Sequence, residues 1–210
     1  MDHSLQTIVI GLGAMGSAAT YQLAKRGNRV LGIDRFYPPH VYGSSHGDTR
    51  ITRQAIGEGS EYVPLVMRSH ELWDEIERET GKKVLTITGG LIMSAVEGTR
   101  RHGSYFFNQT VACAETYGIA HRLLDADEIK RRFPQFKLKG NERGYFEEKA
   151  GYLRPELCIE AQLELAQRYG AQLALDEHVL AFSAHTGDKV AVKTDKGEYE
   201  VEKLIISAGP

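Results

Sequence analysis

The sequence has little cysteine, little net charge and no long hydrophobic run, and each absence excludes a class of protein. The two cysteines among its 210 residues, Cys113 and Cys158, form no C-x-x-C pair and no metal-ligand spacing. No set of His, Asp and Glu has convincing metal spacing either, so we predict no metal site. The cysteine usage favours a reducing, cytoplasmic compartment. We expect both thiols to be buried as small hydrophobic groups.

The charge balance and the hydropathy pattern exclude several partners. The formal net charge of −2 gives no reason to expect a nucleic acid or an anionic membrane as partner. No apolar run approaches the roughly 20 residues that span a bilayer. The short apolar run at the N-terminus leads straight into a glycine turn and does not resemble a secretory signal. Hydrophobic residues at 41% and charged residues at 26% are ordinary for a folded globular protein.

The most informative stretch is a G-x-G-x-x-G run at residues 11–16, between an apolar run and an Ala-rich helical segment. Gly11 allows a sharp turn, Gly13 lets a pyrophosphate approach the backbone, and Gly16 lets helix and strand pack closely. Asp34 ends the next apolar run about 20 residues later, where a carboxylate can hold ribose hydroxyls. Together these features predict an adenine dinucleotide site; the alternative is a glycine-rich structural turn.

The rest of the chain predicts an α/β fold: a Rossmann-like, doubly wound parallel sheet that binds the dinucleotide, with part of a second α+β substrate domain. The pattern predicts the following elements: helices over 14–26, 61–79, 105–117, 125–132 and 155–170, and strands over 7–10, 30–34, 85–88, 91–94, 143–147, 172–175, 178–185, 189–194, 199–201 and 203–207. His70 and the aromatic run 105–107 are assigned to the core.

The last apolar run, 203–207, is typical of a central parallel strand buried on both faces. Because it leads into Ala-Gly-Pro, we expect the chain to be the front part of a longer protein. We predict three segments: residues 1–56 and 151–210 of the dinucleotide-binding domain, and residues 57–150 as an inserted part of the substrate domain.

The loop after Asp34 carries a family resemblance. The run 43–53, G-S-S-H-G-D-T-R-I-T-R, is similar to that of the monomeric sarcosine oxidase and N-methyltryptophan oxidase family, FAD-dependent amine oxidases of the D-amino-acid-oxidase superfamily. The resemblance extends along essentially the whole chain through Pro38-Pro39-His40, Gly57-Glu58-Gly59, Tyr62-Val63-Pro64-Leu65, Leu72-Trp73, Gly89-Gly90, Phe133-Pro134, Gly151-Tyr152-Leu153 and Ser207-Ala208-Gly209.

The resemblance implies a function and a set of site residues. Family members bind FAD and oxidise the C–N bond of a secondary amino acid such as sarcosine, with O2 reduced to H2O2. It implies that Arg50 lies against the flavin ring, that Arg53 grips the substrate carboxylate, and that His46 belongs to the active site. The FAD contacts that it implies are Gly11, Gly13, Met15, Gly16, Asp34, Arg35, Ser44, Thr49, Arg50, Val179 and Gly209.

Residue chemistry is consistent with these roles but leaves alternatives. Arg53 has the planar fork that suits a carboxylate, and on a helical turn capped by Asp48 it would share a face with Arg50. Alternatively, both are surface arginines paired with Asp48 or Glu58, and His46 is a loop histidine bonded to backbone.

Two positions depart from the family pattern, since Ser45 and Gln54 stand where histidines are usual. The family also has a flavin-linking cysteine and functional lysines in a part that would follow Pro210, and neither Cys113 nor Cys158 matches that cysteine. Two other functions therefore remain open: a nicotinamide-dependent dehydrogenase, and an FAD-binding fragment without turnover. The sequence indicates no oligomeric state and does not distinguish among secondary amino acids.

Overall fold

The computed structural model describes residues 5–95, 101–185 and 189–209. The chain divides into two compact units: Met1–Arg50, Ile76–Val84 and Arg154–Pro210 form the first, and Ile51–Glu75 and Leu85–Leu153 form the second. In chain order the elements are β1 (Thr7–Ile10), α1 (Ala14–Lys25), β2 (Val30–Asp34), β3 (Arg50–Thr52), a short 3-10 helix (Ser60–Tyr62), α2 (Val63–Thr80), β4 (Leu85–Ile87), β5 (Gly90–Ala95), α3 (Arg101–Thr116), β6 (His121–Leu124), α4 (Ala126–Arg132), β7 (Glu142–Glu147), β8 (Gly151–Leu153), α5 (Pro155–Arg168), β9 (Gln172–Leu175), β10 (Val179–His185), β11 (Lys189–Thr194), β12 (Glu198–Val201) and β13 (Lys203–Ile206).

A four-stranded parallel sheet, in the order β13-β1-β2-β9, forms the centre of the first unit. The strand β1, the crossover helix α1 and the strand β2 make the predicted βαβ unit, and every residue of β2 is buried. Gly27 ends α1 with a φ of +83°, as a left-handed cap requires. The prediction of an α/β fold with a parallel sheet is confirmed.

Side chains from two layers form the core of this unit. Ile8, Leu31 and Ile33 of the parallel sheet cluster with Val192 and Val201, which belong to the antiparallel meander β10-β11-β12. The helix α1 packs against α5, and the Ser17 hydroxyl donates a hydrogen bond of 2.7 Å to Gln162 Oε1 of that helix. These contacts hold the carboxyl ends of β1, β2 and β9 in one row.

The position of β13 corrects one prediction. We expected residues 203–207 to form a central strand buried on both faces. Within the described residues β13 pairs only with β1, at one edge of the sheet, and Ile206 is 55% exposed. An apolar run indicates that a strand can be buried on both faces. Which elements pack against it is determined by the rest of the fold.

The second unit contains two three-stranded sheets, β3-β8-β4 and β5-β7-β6. Its core includes Phe107, Cys113 and Tyr145. Asp125 and Glu128 form a reciprocal capping box at the start of α4. The strand β6 was not predicted. Tyr105 is 64% exposed, contrary to its assignment to the core, because it lies about 200° around α3 from the buried Phe107.

The bounds of the compact units differ from the predicted segments. The first break lies after Arg50 and the last before Arg154, and Ile76–Val84, at the end of α2, belongs with the first unit. The assignment of the second unit to a substrate domain stays a prediction.

Among the described residues no helix is long and apolar enough to cross a membrane, and no three His, Cys, Asp or Glu side chains come together as a metal site would need.

Candidate functional site

The turn between β1 and α1 requires glycine at two positions. Gly11 has a φ of +84°, and a Cβ on it would lie 2.5 Å from the Cα of Ala208. A Cβ on Gly16 would lie only 1.7 Å from the carbonyl oxygen of Gly11. The Ser207 hydroxyl donates a hydrogen bond of 2.8 Å to that same oxygen. The turn is therefore packed tightly from behind, and no side chain fits on that side.

The front of the turn is the N-terminus of α1. Its N-cap residue is Gly13, which has no side chain to bond the first N–H groups of the helix. The Ala14 N–H instead donates to the Ser45 hydroxyl at 3.1 Å. The partial positive charge of a helix N-terminus thus faces the loop that carries Ser45, and this arrangement suits an anionic group such as a phosphate.

Asp34, at the end of β2, is tied directly to the glycine turn. Its Oδ2 accepts a hydrogen bond of 2.7 Å from the Leu12 N–H, and its Oδ1 accepts one of 2.9 Å from the Phe36 N–H. The Nε2 of His40 lies 3.5 Å from Oδ1. The residue is 7% exposed. The carboxylate is therefore held in place by backbone donors before any ligand arrives.

A cleft of about 490 Å³ opens along the carboxyl edge of the parallel sheet in the first unit. It brings together eight of the predicted cofactor contacts: Gly11, Gly13, Met15, Asp34, Arg35, Ser44, Val179 and Gly209. Three predicted contacts do not line it, namely Gly16, Thr49 and Arg50. Gly16 lies behind the turn, where its lack of a side chain permits the close packing. Their contacts with a cofactor stay predictions.

The loop 44–50 has a conformation that the sequence analysis did not predict. Gly47 and Asp48 have positive φ values of 106° and 65°, and Arg50 begins the strand β3. The prediction that Asp48 caps a helical turn on which Arg50 and Arg53 share a face is therefore wrong. Positive φ at two successive residues reverses the chain where a helical turn would have to begin.

The guanidinium of Arg50 is bound by its own loop. Its Nη1 donates to the Thr49 carbonyl at 2.7 Å, and its Nη2 donates to the carbonyls of Ser44 and His46 at 3.0 and 2.6 Å. Within the described part of the chain no carboxylate pairs with Arg50, so the alternative of a surface pair with Asp48 does not occur. All three partners are neutral carbonyl oxygens, so none of these hydrogen bonds belongs to an ion pair.

Glu156, in the first turn of α5, is a second anchor of this loop, and the sequence analysis missed it. Its Oε1 accepts hydrogen bonds from the N–H groups of Gly47 and Asp48, at 2.6 and 3.3 Å. Backbone donors, led by its own N–H group at the helix N-terminus, lower the pKa of the Glu156 carboxyl below its usual range. Its position just after Pro155, at a helix start, is the only local signal that could have indicated this role.

Arg53 lies in the second unit. One of its terminal nitrogens, Nη2, donates to both carboxylate oxygens of Glu58 at 2.7 Å, so the alternative of a pair with Glu58 is realised. Nearby, Thr52 Oγ1 lies 2.9 Å from Nε2 of His70, which is buried as expected. Burial lowers the pKa of His70. The proposed grip of Arg53 on a substrate carboxylate stays a prediction.

Glu147 fixes the backbone that follows Arg53. It is 1% exposed, and it accepts hydrogen bonds from the N–H groups of Gln54 and Ala55 at 2.6 and 3.1 Å and from the Tyr145 hydroxyl at 2.9 Å. Burial is the main cause of the raised pKa of Tyr145, and the nearby carboxylate adds to it. The hydroxyl therefore remains a donor. No sequence signal joins residues more than 90 positions apart.

Comparison with known proteins agrees with this geometry. The family model of DAO, FAD dependent oxidoreductase, matches residues 6–210. The monomeric sarcosine oxidase of Streptomyces avermitilis is 42% identical over 209 residues, which cover 100% of this chain and 53% of the relative. The N-methyl-L-tryptophan oxidase of Escherichia coli (strain K12) is 37% identical over 203 residues, covering 96% of this chain and 53% of the relative.

Solved structures are similar over the same extent. The open form of NikD, an unusual amino acid oxidase essential for nikkomycin biosynthesis, has a TM-score of 0.84 at 26% identity, covering 99% of this chain and 52% of NikD. The L-proline dehydrogenase from P. horikoshii shares the fold with a TM-score of 0.82 at 23% identity, covering 99% of this chain and 53% of that one. The chain thus spans about half the length of the curated relatives it matches. With a family model matched over nearly its whole length, the chain belongs to the DAO family of FAD dependent oxidoreductases.

Proposed function

We propose that this chain binds FAD in the cleft of the first unit and belongs to an enzyme that oxidises the C–N bond of an N-methyl or other secondary amino acid, such as sarcosine, with O2 reduced to H2O2. The observation that carries the proposal is the cleft itself, which places the bare glycine turn, the N-terminus of α1 and Asp34 along one sheet edge. Relatives named as sarcosine and N-methyl-L-tryptophan oxidases support this chemistry over that of a nicotinamide-dependent dehydrogenase.

The residues present fit the adenine dinucleotide half of FAD. Gly13 lines the cleft without a side chain, and a Cβ added there would lie 3.3 Å from the Ser45 hydroxyl, closer than an ordinary van der Waals contact. The N–H groups of the α1 N-terminus can hold a pyrophosphate, and the Asp34 carboxylate can accept hydrogen bonds from ribose hydroxyls. The buried free thiols, Cys113 and Cys158, are consistent with a cytoplasmic enzyme.

When bound, the flavin would supply the redox chemistry: the two-electron oxidation of the C–N bond and the reduction of O2 to H2O2. The residues of this chain bind and orient the cofactor and the substrate. Arg50 provides a fixed positive charge, which favours an electron-rich group nearby. Arg53 is proposed to bind the substrate carboxylate, for which Glu58 must release the guanidinium. Glu147 holds the backbone beside Arg53 and thereby limits the positions that the guanidinium can take.

Flavin absorbance and turnover test the proposal separately. The purified chain should bind FAD and develop a yellow flavin spectrum, while NADH should not compete with FAD. H2O2 release with sarcosine should then be measured for the 210-residue chain and for a form extended to the length of its relatives. Binding of NADH without FAD would favour a dehydrogenase. FAD binding without turnover of sarcosine in either form would favour a redesigned or non-catalytic site.

A further inference from the structure

A buried carboxylate that the family resemblance did not indicate lies in the same cleft. Glu177 follows β9, is 5% exposed and lines the cleft beside His178 and Val179. We propose that Glu177 selects adenine as the base of the bound nucleotide, by accepting a hydrogen bond from the exocyclic amine. This inference rests on the adenine-nucleotide part of the proposed function, but not on the oxidation chemistry.

The hydrogen bonds of Glu177 orient its carboxylate. The hydroxyls of Thr194 and Tyr199, both on the meander, donate to the same oxygen, Oε1, at 2.7 and 2.8 Å. Within the described residues the other oxygen, Oε2, accepts no hydrogen bond. Burial and the hydrogen bond to Glu177 raise the pKa of Tyr199, so its hydroxyl keeps the proton that it donates. One oxygen is therefore committed to the protein, and the other is available to a donor in the cleft.

The order of the sheet determines which part of a nucleotide reaches Glu177. The glycine turn follows β1, Asp34 ends β2, and Glu177 follows β9, which is the next strand in the sheet. The Glu177 N–H donates a hydrogen bond of 3.0 Å to the Asp34 carbonyl, so the two residues are adjacent. With the pyrophosphate at the glycine turn and the ribose at Asp34, the base lies at the carboxyl end of β9.

The chemistry of the purine edge then decides between bases. Adenine presents an amine donor at C6, whereas hypoxanthine and guanine present a carbonyl oxygen at the same position. A carboxylate oxygen attracts the amine and repels the carbonyl. An unpaired buried polar group is costly, so a site built around an acceptor discriminates strongly against a base that lacks the donor.

Titration calorimetry of the 210-residue chain with ADP and with IDP tests this proposal. IDP differs from ADP at the C6 position of the base, where a carbonyl replaces the amine. We expect ADP to bind at least about tenfold more tightly than IDP, as the loss of one hydrogen bond to a charged group predicts. This ratio needs no variant and is unaffected by any folding defect.

The variant Glu177→Gln makes a sharper prediction. Because the Thr194 and Tyr199 hydroxyls both donate to one position, they should hold the amide oxygen there and leave the amide NH2 facing the cleft. The preference should therefore fall or reverse towards IDP. Asp176→Asn is the matched control, since it makes the same change one residue earlier on an exposed side chain, and it should leave the ratio unchanged.

The outcomes separate the two hypotheses. If neither ADP nor FAD binds the wild-type chain, the proposed nucleotide site itself is wrong. If ADP and IDP bind the wild type equally, the selection by Glu177 is overturned while the nucleotide site stands. If Glu177→Gln is folded by circular dichroism and keeps the wild-type preference for ADP, the selection belongs to other groups in the cleft, and the proposal is overturned as well.

Discussion

Each of the two compact units contains a buried carboxylate that binds backbone N–H groups, and the two differ in how they are encoded. Asp34 bonds Leu12 and Phe36 and lines the nucleotide cleft. Glu147 bonds Gln54 and Ala55, across 93 and 92 positions of sequence, and is enclosed. Asp34 belongs to a sequence motif of about 25 residues and lies where a ligand would bind. Glu147 meets its partners only in the folded chain, and its role is to hold the backbone in place.

The largest effect is expected from Gly16→Ala, which tests the motif that contains Asp34. The added Cβ would overlap the Gly11 carbonyl oxygen at 1.7 Å, so turn and helix must separate. The free energy of unfolding should fall by about 3 kcal/mol, and ADP binding should be lost. Urea denaturation and calorimetry measure the two effects.

Gly197→Ala is the control for this substitution, because an added Cβ there meets no atom within 4 Å. Its unfolding free energy should stay within about 0.5 kcal/mol of wild type. Equal stability of the two alanine variants would contradict the close packing of the glycine turn.

Glu147→Ala tests the second carboxylate. Removing it leaves two backbone N–H groups and the Tyr145 hydroxyl without their acceptor, so the free energy of unfolding should fall by about 2–3 kcal/mol. ADP affinity should change little, because all lining residues of the cleft belong to the first unit. Glu148→Ala, an exposed neighbour paired with Arg122, should cost less than about 1 kcal/mol. A large loss of ADP affinity in Glu147→Ala would break the comparison between the units.

Unlike Glu147→Ala, the variant Asp34→Asn should lower ligand affinity more than it lowers stability. The amide loses the negative charge and presents an NH2 group to one of its two backbone donors. We expect ADP affinity to fall about tenfold to a hundredfold. Unchanged ADP affinity, measured by calorimetry on a variant whose circular dichroism matches wild type, would remove Asp34 from the ligand site.

Arg53→Lys addresses the function proposed for the segment that Glu147 holds. Lysine keeps the charge but lacks the planar fork, so in the form extended to the length of its relatives the KM for sarcosine should rise about tenfold, as the loss of one charged hydrogen bond predicts. FAD binding should be unaffected. A fall in kcat at unchanged KM would assign Arg53 a different role.

The smallest effect concerns His70, which bonds Thr52 in the second unit. Burial lowers its folded pKa, so below its ordinary value near 6.5 the unfolded chain binds a proton that the folded chain resists. Stability attributable to His70 should therefore be complete above about pH 6.5 and decrease as the pH falls below it. Urea denaturation of wild type and His70→Gln across this range measures the effect, and identical slopes would contradict it.

Much of the fold, and the core of the cleft, could be predicted because the relevant residues are close in sequence. The glycines of the turn and Asp34 lie within one βαβ unit, whose geometry is nearly invariant. The loop 44–50 was predicted incorrectly because the left-handed conformation of Asp48 was not expected from the residue pattern. Burial was also predicted incorrectly for Tyr105 and β13. The exposure of a residue depends on its neighbours in the fold and not only on the apolar character of its own run.

The carboxylates Glu147, Glu156 and Glu177 could not be predicted at all. Each bonds a segment far away along the chain, the nearest being Thr194, 17 positions from Glu177. A glutamate in a single sequence is most often an exposed residue, and only Glu156, just after Pro155 at a helix start, carries any local signal. Only the tertiary fold brings the donors to them, and burial of Glu147 and Glu177 makes their hydrogen bonds necessary for stability.

The three carbonyl groups that bind the Arg50 guanidinium have one more consequence. Peptide oxygens do not titrate, and no substitution of a side chain removes them. The orientation of this guanidinium therefore does not depend on the ionisation of its immediate partners, and only a change in the shape of the loop, which Glu156 also anchors, would alter these three bonds. As long as the loop keeps its shape, an electron-rich group placed beside it meets the same positive charge in the same position in mildly acidic and alkaline solution.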